Sequence, residues 1–569
     1  MSYVFAGYVM KRRVSLLLTH LTERFRAVTT VLVNRNLRRL EIAWAAFNVA
    51  EYAFVIALGV LAFDRGGAAA VGLMALIRTL PAMAAGPLLA VLTDRLPRQH
   101  MVTASLAGRA LASAGLFVAV GAGSPIGVVY LLAALDAATA TSFWPAHTAL
   151  LPELSRSREE LAASNAVSSI VENGGFLVGP LGAAVVFVTL DTAAVFVIGS
   201  GVFVVGAVLA ATISTDRITA RTARHRVKVD LLDGWKALRA SRGPSLVVGL
   251  WTIEALLLGA IDVFTVVVAI DLLGLGDSGA GFLGAVNGAG GVIGAIAMTT
   301  FSRGNPFARY LGIGLLLMGL GLLLAGLWPV LAAVLAGFLL VGIAGGQIDI
   351  AAQTLLQRTV GEGHLGRVLG IYEGLYWGSL GIGALLAGWL VSATSIETGV
   401  IGSGAALVLV AILARARLRS IDGSVEVPDA RFDLLRSNTI FGLLPVPTLE
   451  HLARRAERVE IESGTVVIHQ DGEGDQVYLI EQGAAAVEVD GLPIADLGPN
   501  DVFGEIAPLR HLPRTATVRS TANTTLLVLD GEELAAAVAS HTSSATTADA
   551  MVAGRLAGIG RARRGRGHG

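Results

Sequence analysis

Between residues 40 and 414 the chain alternates apolar stretches of membrane-spanning length with short polar breaks. A bilayer core about 30 Å thick needs about 20 apolar helical residues to cross it. Stretches of that kind occupy 40–63, 68–92, 101–121, 126–150, 165–189, 192–213, 246–270, 279–300, 308–327, 329–351, 365–391 and 396–414. This predicts about twelve helices and an all-α polytopic membrane bundle. Composition agrees: 54% of the 569 residues are hydrophobic and 15% are charged, whereas soluble domains are about a quarter charged.

Loop charge sets an expected orientation. The breaks at 93–100, 155–160, 214–243, 302–309 and 357–367 all carry arginine. The alternate breaks at 64–67, 121–125, 189–191, 272–281, 327–329 and 392–398 hold only Arg65. Positively charged loops stay in the cytoplasm, so both termini are expected there. Of 43 basic residues only Lys11, Lys228 and Lys236 are lysines. With the alanine and glycine excess, that bias suggests a GC-rich bacterial genome and hence an inner (plasma) membrane. The opening residues lack the order of a secretory signal peptide.

Several functions are disfavoured. Formal net charge is zero, so there is no global basic field for nucleic acid. No cysteine is present, which removes disulfides, thiolate metal sites and cysteine nucleophiles. No lysine stands in a Walker phosphate loop, and no nucleophile elbow or zinc cluster occurs. We therefore expect neither an enzyme nor an ATP-driven pump, and no metal.

The break at 214–245 divides the bundle into a first six-helix half, 40–213, and a second, 246–414, after an N-terminal cytoplasmic segment, 1–39. The stretches starting at Ala149 and Thr354 echo each other: a paired-leucine helix end, a charged loop, then a helix with Gly-x-x-Gly-type spacing. Parallel six-helix repeats are a transporter signature, with cargo bound between them near mid-membrane. Chance similarity between glycine-rich helices is the other reading.

Residues 40–414 resemble the major facilitator superfamily, in the exporter branch that includes macrolide-efflux and enterobactin-exporter proteins. "AVLTDRLPRQ" (90–99) is similar to that superfamily's loop between helices 2 and 3, with Asp94, Arg95 and Arg98 matching. Ala90 and Pro97 replace usual glycines there, and Gln99 a usual basic residue. "SFWPAHTALLPEL…ASNAV…GGFLVGPLG" and "LGRVLGIYEGLYWGSLGIGALLAG" resemble the exporter branch more closely. The resemblance implies a gating role for Asp94, Arg95 and Arg98.

Ionisable groups inside the spans are candidates for coupling transport to protons, since hydrocarbon makes them costly. They are Glu51, Arg78, Arg109, Asp136, Glu172, Glu254, Asp262, Asp349 and Glu373. We expect Arg78 to hold Asp136 as a proton-exchanging pair. Glu254 and Asp262 lie eight residues apart, on one helix face, which suits a proton or substrate-cation path. Structural ion pairing is the competing reading for each.

After residue 414 the character changes. A basic, turn-containing linker is expected over 415–431, ordinary soluble sequence over 432–540, and a flexible basic tail over 541–569. Short alternating strands between glycine turns predict a β-roll or jelly-roll barrel with flanking helices. Within it, "FGEIAPLRHLPRTATV" (503–518) has the chemistry of an anion pocket. Gly504 lets backbone approach a ligand. Glu505 can accept a sugar hydroxyl, and a turn at 506–509 presents backbone N–H groups. Arg514 offers a fork for two phosphate oxygens. Thr515 adds a hydroxyl and Ala516 keeps the wall thin. One small nucleotide fits those roles.

The stretch resembles the phosphate cassette of cyclic nucleotide-binding domains, through Phe503, Gly504, Glu505, Ile506 and Ala507 and then Pro513, Arg514, Thr515, Ala516 and Val518. That resemblance implies Glu505 on the ribose 2′-hydroxyl, Arg514 on the cyclic phosphate and Thr515 on phosphate or base. The ligand is cAMP or cGMP, with cAMP favoured. The expected protein is a proton-coupled exporter of small amphipathic molecules, embedded in lipid and regulated by a cyclic nucleotide. A membrane-tethered sensor without transport, and an exporter with an inert tail, are the alternatives.

Overall fold

The computed structural model describes residues 29, 31–93, 97–214, 238, 242–301, 306–360, 362–425, 429–444, 446–510, 512–539 and 551–556. Asp94 and Arg95 lie outside the described residues, as does most of the segment between the halves. The chain divides into two units, Met1–Asp422 and Gly423–Gly569.

The first unit is helical: α1 (Arg35–Thr93), α2 (Arg98–Gly121), α3 (Ile126–Ala140), α4 (Phe143–Leu154), α5 (Arg158–Thr189) and α6 (Thr192–Ala211), then α7 (Arg242–Val267), α8 (Gly276–Phe301), α9 (Phe307–Leu327), α10 (Leu331–Thr359), α11 (Glu362–Ala393) and α12 (Ile396–Val425). Among the described residues, eleven helical segments are long and apolar enough to span a bilayer. The first, Arg35–Pro81, has 47 residues. Straight, it would measure about 70 Å, more than twice a bilayer core. It breaks at Gly66 and Gly67, whose backbone angles are non-helical. Read as two crossings, it brings the total to twelve. α3 and α4 together make a single span, Ile126–Leu154.

The halves meet along two seams, α11 against α1 and α8 against α5. Small residues set the approach. A Cβ on Gly288 of α8 would stand 2.1 Å from the Phe176 carbonyl of α5, so only glycine fits there. Gly388 of α11 meets the Ala68 carbonyl of α1 in the same way, at 2.5 Å. The glycine-rich stretches 175–182 and 378–388 supply several such approaches. The structure assigns them mixed duties: Gly175 and Gly179 approach α1 within the first half, and Gly383 approaches α7 within the second.

The expected linker over 415–431 is helical instead of turn-containing through Val425, because α12 runs on through Arg415, Arg417 and Arg419. Arginine is a good helix former, so charge ended the apolar pattern without ending the helix.

The second unit is an antiparallel β-sandwich with flanking helices. α13 (Asp429–Ser437) and α14 (Val446–Arg455) precede β1 (Glu457–Ile461), β2 (Val466–Ile468), β3 (Gln476–Gln482), β4 (Ala485–Val489), β5 (Leu492–Leu497), β6 (Val502–Phe503), the short α15 (Ile506–Arg510), β7 (Thr517–Ser520), β8 (Thr524–Asp530) and α16 (Gly531–Ala539). The sheets have strand orders β1-β8-β3-β6 and β2-β7-β4-β5. The run "VYLI" in β3 is continuously apolar because both its faces are covered. Val477 and Leu479 join Leu449, Leu452 and Leu534 under the helices. Tyr478 and Ile480 face Phe503, Val518 and Leu526 between the sheets. A turn at Asp490 and Gly491, both with positive φ, joins β4 to β5.

Candidate functional site

The cassette sits between β6 and β7, where the chain leaves one sheet, makes the single short helix α15, and enters the other. It lines a cavity of about 330 Å³, within the range of small-ligand sites. All eight residues singled out from sequence border it: Phe503, Gly504, Glu505, Ile506, Ala507, Arg514, Thr515 and Ala516. Ile468, Val487, Ile494, Leu497 and Val518 add an apolar wall.

Gly504 has φ +84°, and a Cβ there would stand 2.8 Å from Arg514 Nη1. Arg514 is 6% exposed. Its Nη1 donates to the Gly504 carbonyl at 2.7 Å and its Nη2 to the Gln476 carbonyl at 2.8 Å. Two of its five N–H donors are thus used to fix the guanidinium against β3 and β6. Burial lowers its pKa from the ordinary arginine value, opposed by Tyr478, Asp475 and Glu505. Tyr478 stacks on Phe503 at 5.1 Å between ring centroids, stiffening the strand that ends just before Gly504. The result is a cation fixed in a largely apolar cavity, which is what an anion needs in order to bind in competition with water.

Glu505 is 1% exposed. Its Oε1 accepts from Arg555 Nη1 at 2.9 Å, and the same nitrogen donates to the Val502 carbonyl at 2.7 Å. Arg555 also lines the cavity. It belongs to residues 551–556, which are helical. Met551 packs on the helix-covered core and Leu556 beside Val489 and Ala516. The reading of 541–569 as a flexible tail is therefore corrected for this segment, which is held by apolar contacts and an ion pair. Sequence reading missed Arg555. A faint signal existed: Met551, Val552, Arg555 and Leu556 fall on one helical face.

Within the bundle, four of the charged candidates form a chain. Arg78 Nη2 donates to Glu51 Oε1 at 2.6 Å, Arg109 Nη2 to Glu51 Oε2 at 2.5 Å, and Arg109 Nε and Nη2 to the two Asp136 oxygens at 3.0 Å each. Arg109 and Asp136 are wholly buried, and Arg109 also lies over the Phe47 and Phe203 rings. The expected Arg78–Asp136 pair is not formed. α2 and α3 adjoin, so Asp136 takes Arg109, while Arg78 reaches Glu51 across the two limbs of α1.

The remaining candidates do not join this chain. Glu254 is buried on α7, Asp262 is half-buried on the same helix, and Glu172 is half-buried on α5. Asp349 of α10 accepts from Trp251 Nε1 at 2.9 Å, and Glu373 of α11 is exposed. Arg98 donates to the Ala149 carbonyl at 2.8 Å and pairs with Glu153. A second buried polar group escaped the sequence reading: Ser168 Oγ donates to Glu41 Oε1 at 2.6 Å, with His147 stacked on Trp44 beside them.

Comparison with known proteins supplies the family. The profile of the Major Facilitator Superfamily matches residues 42–310 and 306–456, and that of the cyclic nucleotide-binding domain matches 458–541. A cAMP-dependent protein kinase regulatory subunit of Yarrowia lipolytica is 32% identical over 140 residues, 25% of this chain and 35% of that one. The uncharacterized MFS-type transporter YfiS of Bacillus subtilis is 27% identical over 308 residues, 52% of this chain and 71% of that one. The chain also covers 53% of a putative potassium channel protein of Rhodopseudomonas palustris at 27% identity, so it spans a third to a half of its first two relatives. The crystal structure of the nucleoside transporter NupG superposes with a TM-score of 0.57 over 67% of this chain and 98% of that one; at 15% identity the likeness is one of fold. The chain belongs to the Major Facilitator Superfamily, with a cyclic nucleotide-binding domain following its membrane bundle.

Proposed function

We propose that the protein is a proton-coupled exporter of small amphipathic molecules, of the macrolide-efflux and enterobactin-exporter kind, whose activity is set by a cyclic nucleotide. It sits in a bacterial inner membrane with both termini in the cytoplasm, where such messengers are made. The division follows the pattern of charges and motifs along the chain: 40–213 and 246–414 move cargo, 214–245 and 415–431 connect, and 432–540 senses. One observation carries the regulatory half. Glu505 and Arg514, both almost wholly buried, border one nucleotide-sized cavity. Arg514 spends only two of its five N–H donors on backbone carbonyls, which leaves donors for a phosphate. The relatives named for cAMP dependence favour cAMP over cGMP.

Glu505 takes the ribose hydroxyl, Arg514 the cyclic phosphate, and Thr515 phosphate or base, with the backbone at Gly504, Ile506 and Ala507 close to the ligand. In the bundle, the Arg78–Glu51–Arg109–Asp136 chain is the proton-coupling element, and Asp94, Arg95 and Arg98 gate. Nucleotide biases transport only to the extent that it binds the bundle's two states unequally. The test is calorimetric titration of the full chain in lipid nanodiscs with cAMP and with cGMP, beside Arg514→Ala, followed by vesicle flux with and without nucleotide. Micromolar cAMP binding lost in the variant, and flux that changes with cAMP, is the expected result. Absence of binding to a folded protein removes the regulatory half of the proposal.

A further inference from the structure

The carboxylates Glu51, Asp136 and Glu254 are satisfied differently in the two halves. In the first, Glu51 and Asp136 are neutralised by Arg78 and Arg109. In the second, Glu254 is 0% exposed, and neither of its oxygens has a hydrogen-bond partner. A buried carboxylate without a partner is among the costliest arrangements in a protein, and within a bilayer it marks a functional group.

Its neighbours indicate what would satisfy it. Glu254 Oε1 lies 4.0 Å from where a Cβ would stand on Gly345 of α10. The carboxylate thus points at the α10 face that bears Asp349, one turn on. Asp349 accepts from Trp251, which stands one turn before Glu254 on α7. The Trp251 indole stacks on Tyr372 of α11 with 3.6 Å between centroids, and Tyr376 follows Tyr372 at 5.8 Å. Two carboxylates and three aromatic rings therefore converge from α7, α10 and α11. Asp349 is exposed, which gives access to the cluster. Counting helix rise, Glu254 lies about 18 Å from the Arg242 end of α7 and Asp349 about 15 Å from the Thr359 end of α10, both well inside their helices. Among the described residues no basic side chain pairs with either, and no cluster of three or more ligand side chains exists to hold a metal ion.

We propose that Glu254 and Asp349, walled by Trp251, Tyr372 and Tyr376, bind the cationic group of an organic cargo. This deepens the transporter reading above and rests on it. The carboxylates supply the charge, and the rings supply apolar surface and cation–π attraction. A planar or aryl-bearing cation matches both. An anion meets two like charges, and a neutral molecule leaves Glu254 unpaired.

The test is equilibrium binding of tetraphenylphosphonium and tetraphenylborate to the full chain in nanodiscs. The two ions share size and apolar surface and differ in sign. The expected result is phosphonium binding at least tenfold tighter than borate, weakened tenfold or more by Glu254→Gln and also weakened by Asp349→Asn. Equal affinity for the two ions, no phosphonium binding, or phosphonium affinity unchanged in Glu254→Gln overturns the proposal. The comparison of the two ions on the unaltered protein decides the matter even if a variant fails to fold. Binding is read without flux, so phosphonium that binds but is not transported would instead count against the transporter reading.

Discussion

Arg555 offers the sharpest test of how the nucleotide cavity works. Glu505 is nearly inaccessible, and the hydrogen bond from Arg555 at 2.9 Å is its one side-chain partner among the described residues. A ribose hydroxyl entering the cavity competes for the same carboxylate. Replacing Arg555 by alanine removes the competitor and leaves Glu505 unpaired until ligand arrives. A hydrogen bond to a charged group contributes about 1.5–3 kcal/mol. The Arg555 side chain is 32% exposed, and solvent screening reduces the figure to about 1–2 kcal/mol. Arg555→Ala should therefore lower the stability of the nucleotide-free domain by about that amount. It should tighten cAMP binding by about 5- to 30-fold. The assay is calorimetric titration of the full chain, wild type and variant, at one ionic strength, with thermal unfolding of the ligand-free protein alongside. Weaker cAMP binding in the variant would refute the reasoning, because it would mean that Arg555 holds the bound nucleotide.

Three further outcomes follow from the geometry. Arg514→Ala should weaken cAMP binding about 10- to 100-fold through loss of charge-assisted bonds to phosphate, and Arg514→Lys should weaken it less, as titration would show. Gly504→Ala should lower both affinity and unfolding temperature, since φ +84° and a Cβ 2.8 Å from Arg514 Nη1 disturb the residue that fixes the anion. Gly288→Val should abolish flux while leaving cAMP affinity unchanged, because its side chain would collide with the Phe176 carbonyl across the seam between the halves; flux at the wild-type rate would show that the seam is not closed in this way.

What sequence made legible depended on how local each feature was. The cassette from Phe503 to Ala516 was readable because one strand end, one short helix and one loop build most of the pocket. Arg555 was not, since it reaches Glu505 from 50 residues away through tertiary packing. Spans were readable from hydropathy, because lipid imposes it on every crossing helix. Partners within the spans were not: Arg78, Arg109, Glu51 and Asp136 could be named as costly groups, but which arginine meets which carboxylate depends on which helices adjoin. Glu41 and His147 went unnoticed because each stands near a helix end, where a polar residue is unremarkable until its burial is known.

Energetics also limit which parts of the bundle a nucleotide can move. A ligand at a hundredfold its dissociation constant, bound to one state only, contributes about 2.7 kcal/mol, about a hundredfold shift in a two-state equilibrium. Breaking a buried ion pair by losing one partner costs about 3–5 kcal/mol. Arg109 and Asp136, both wholly buried and joined by two hydrogen bonds of 3.0 Å, exceed that limit. If nucleotide biases the transporter, it does so without opening this pair. The seams are different. Where Gly288 meets the Phe176 carbonyl and Gly388 the Ala68 carbonyl, the helices approach backbone to backbone with no room for a side chain at the contact. A signal of about 2.7 kcal/mol is small against the ion-paired core, so a regulated movement of one half past the other would have to carry the charge chain of the first half along intact.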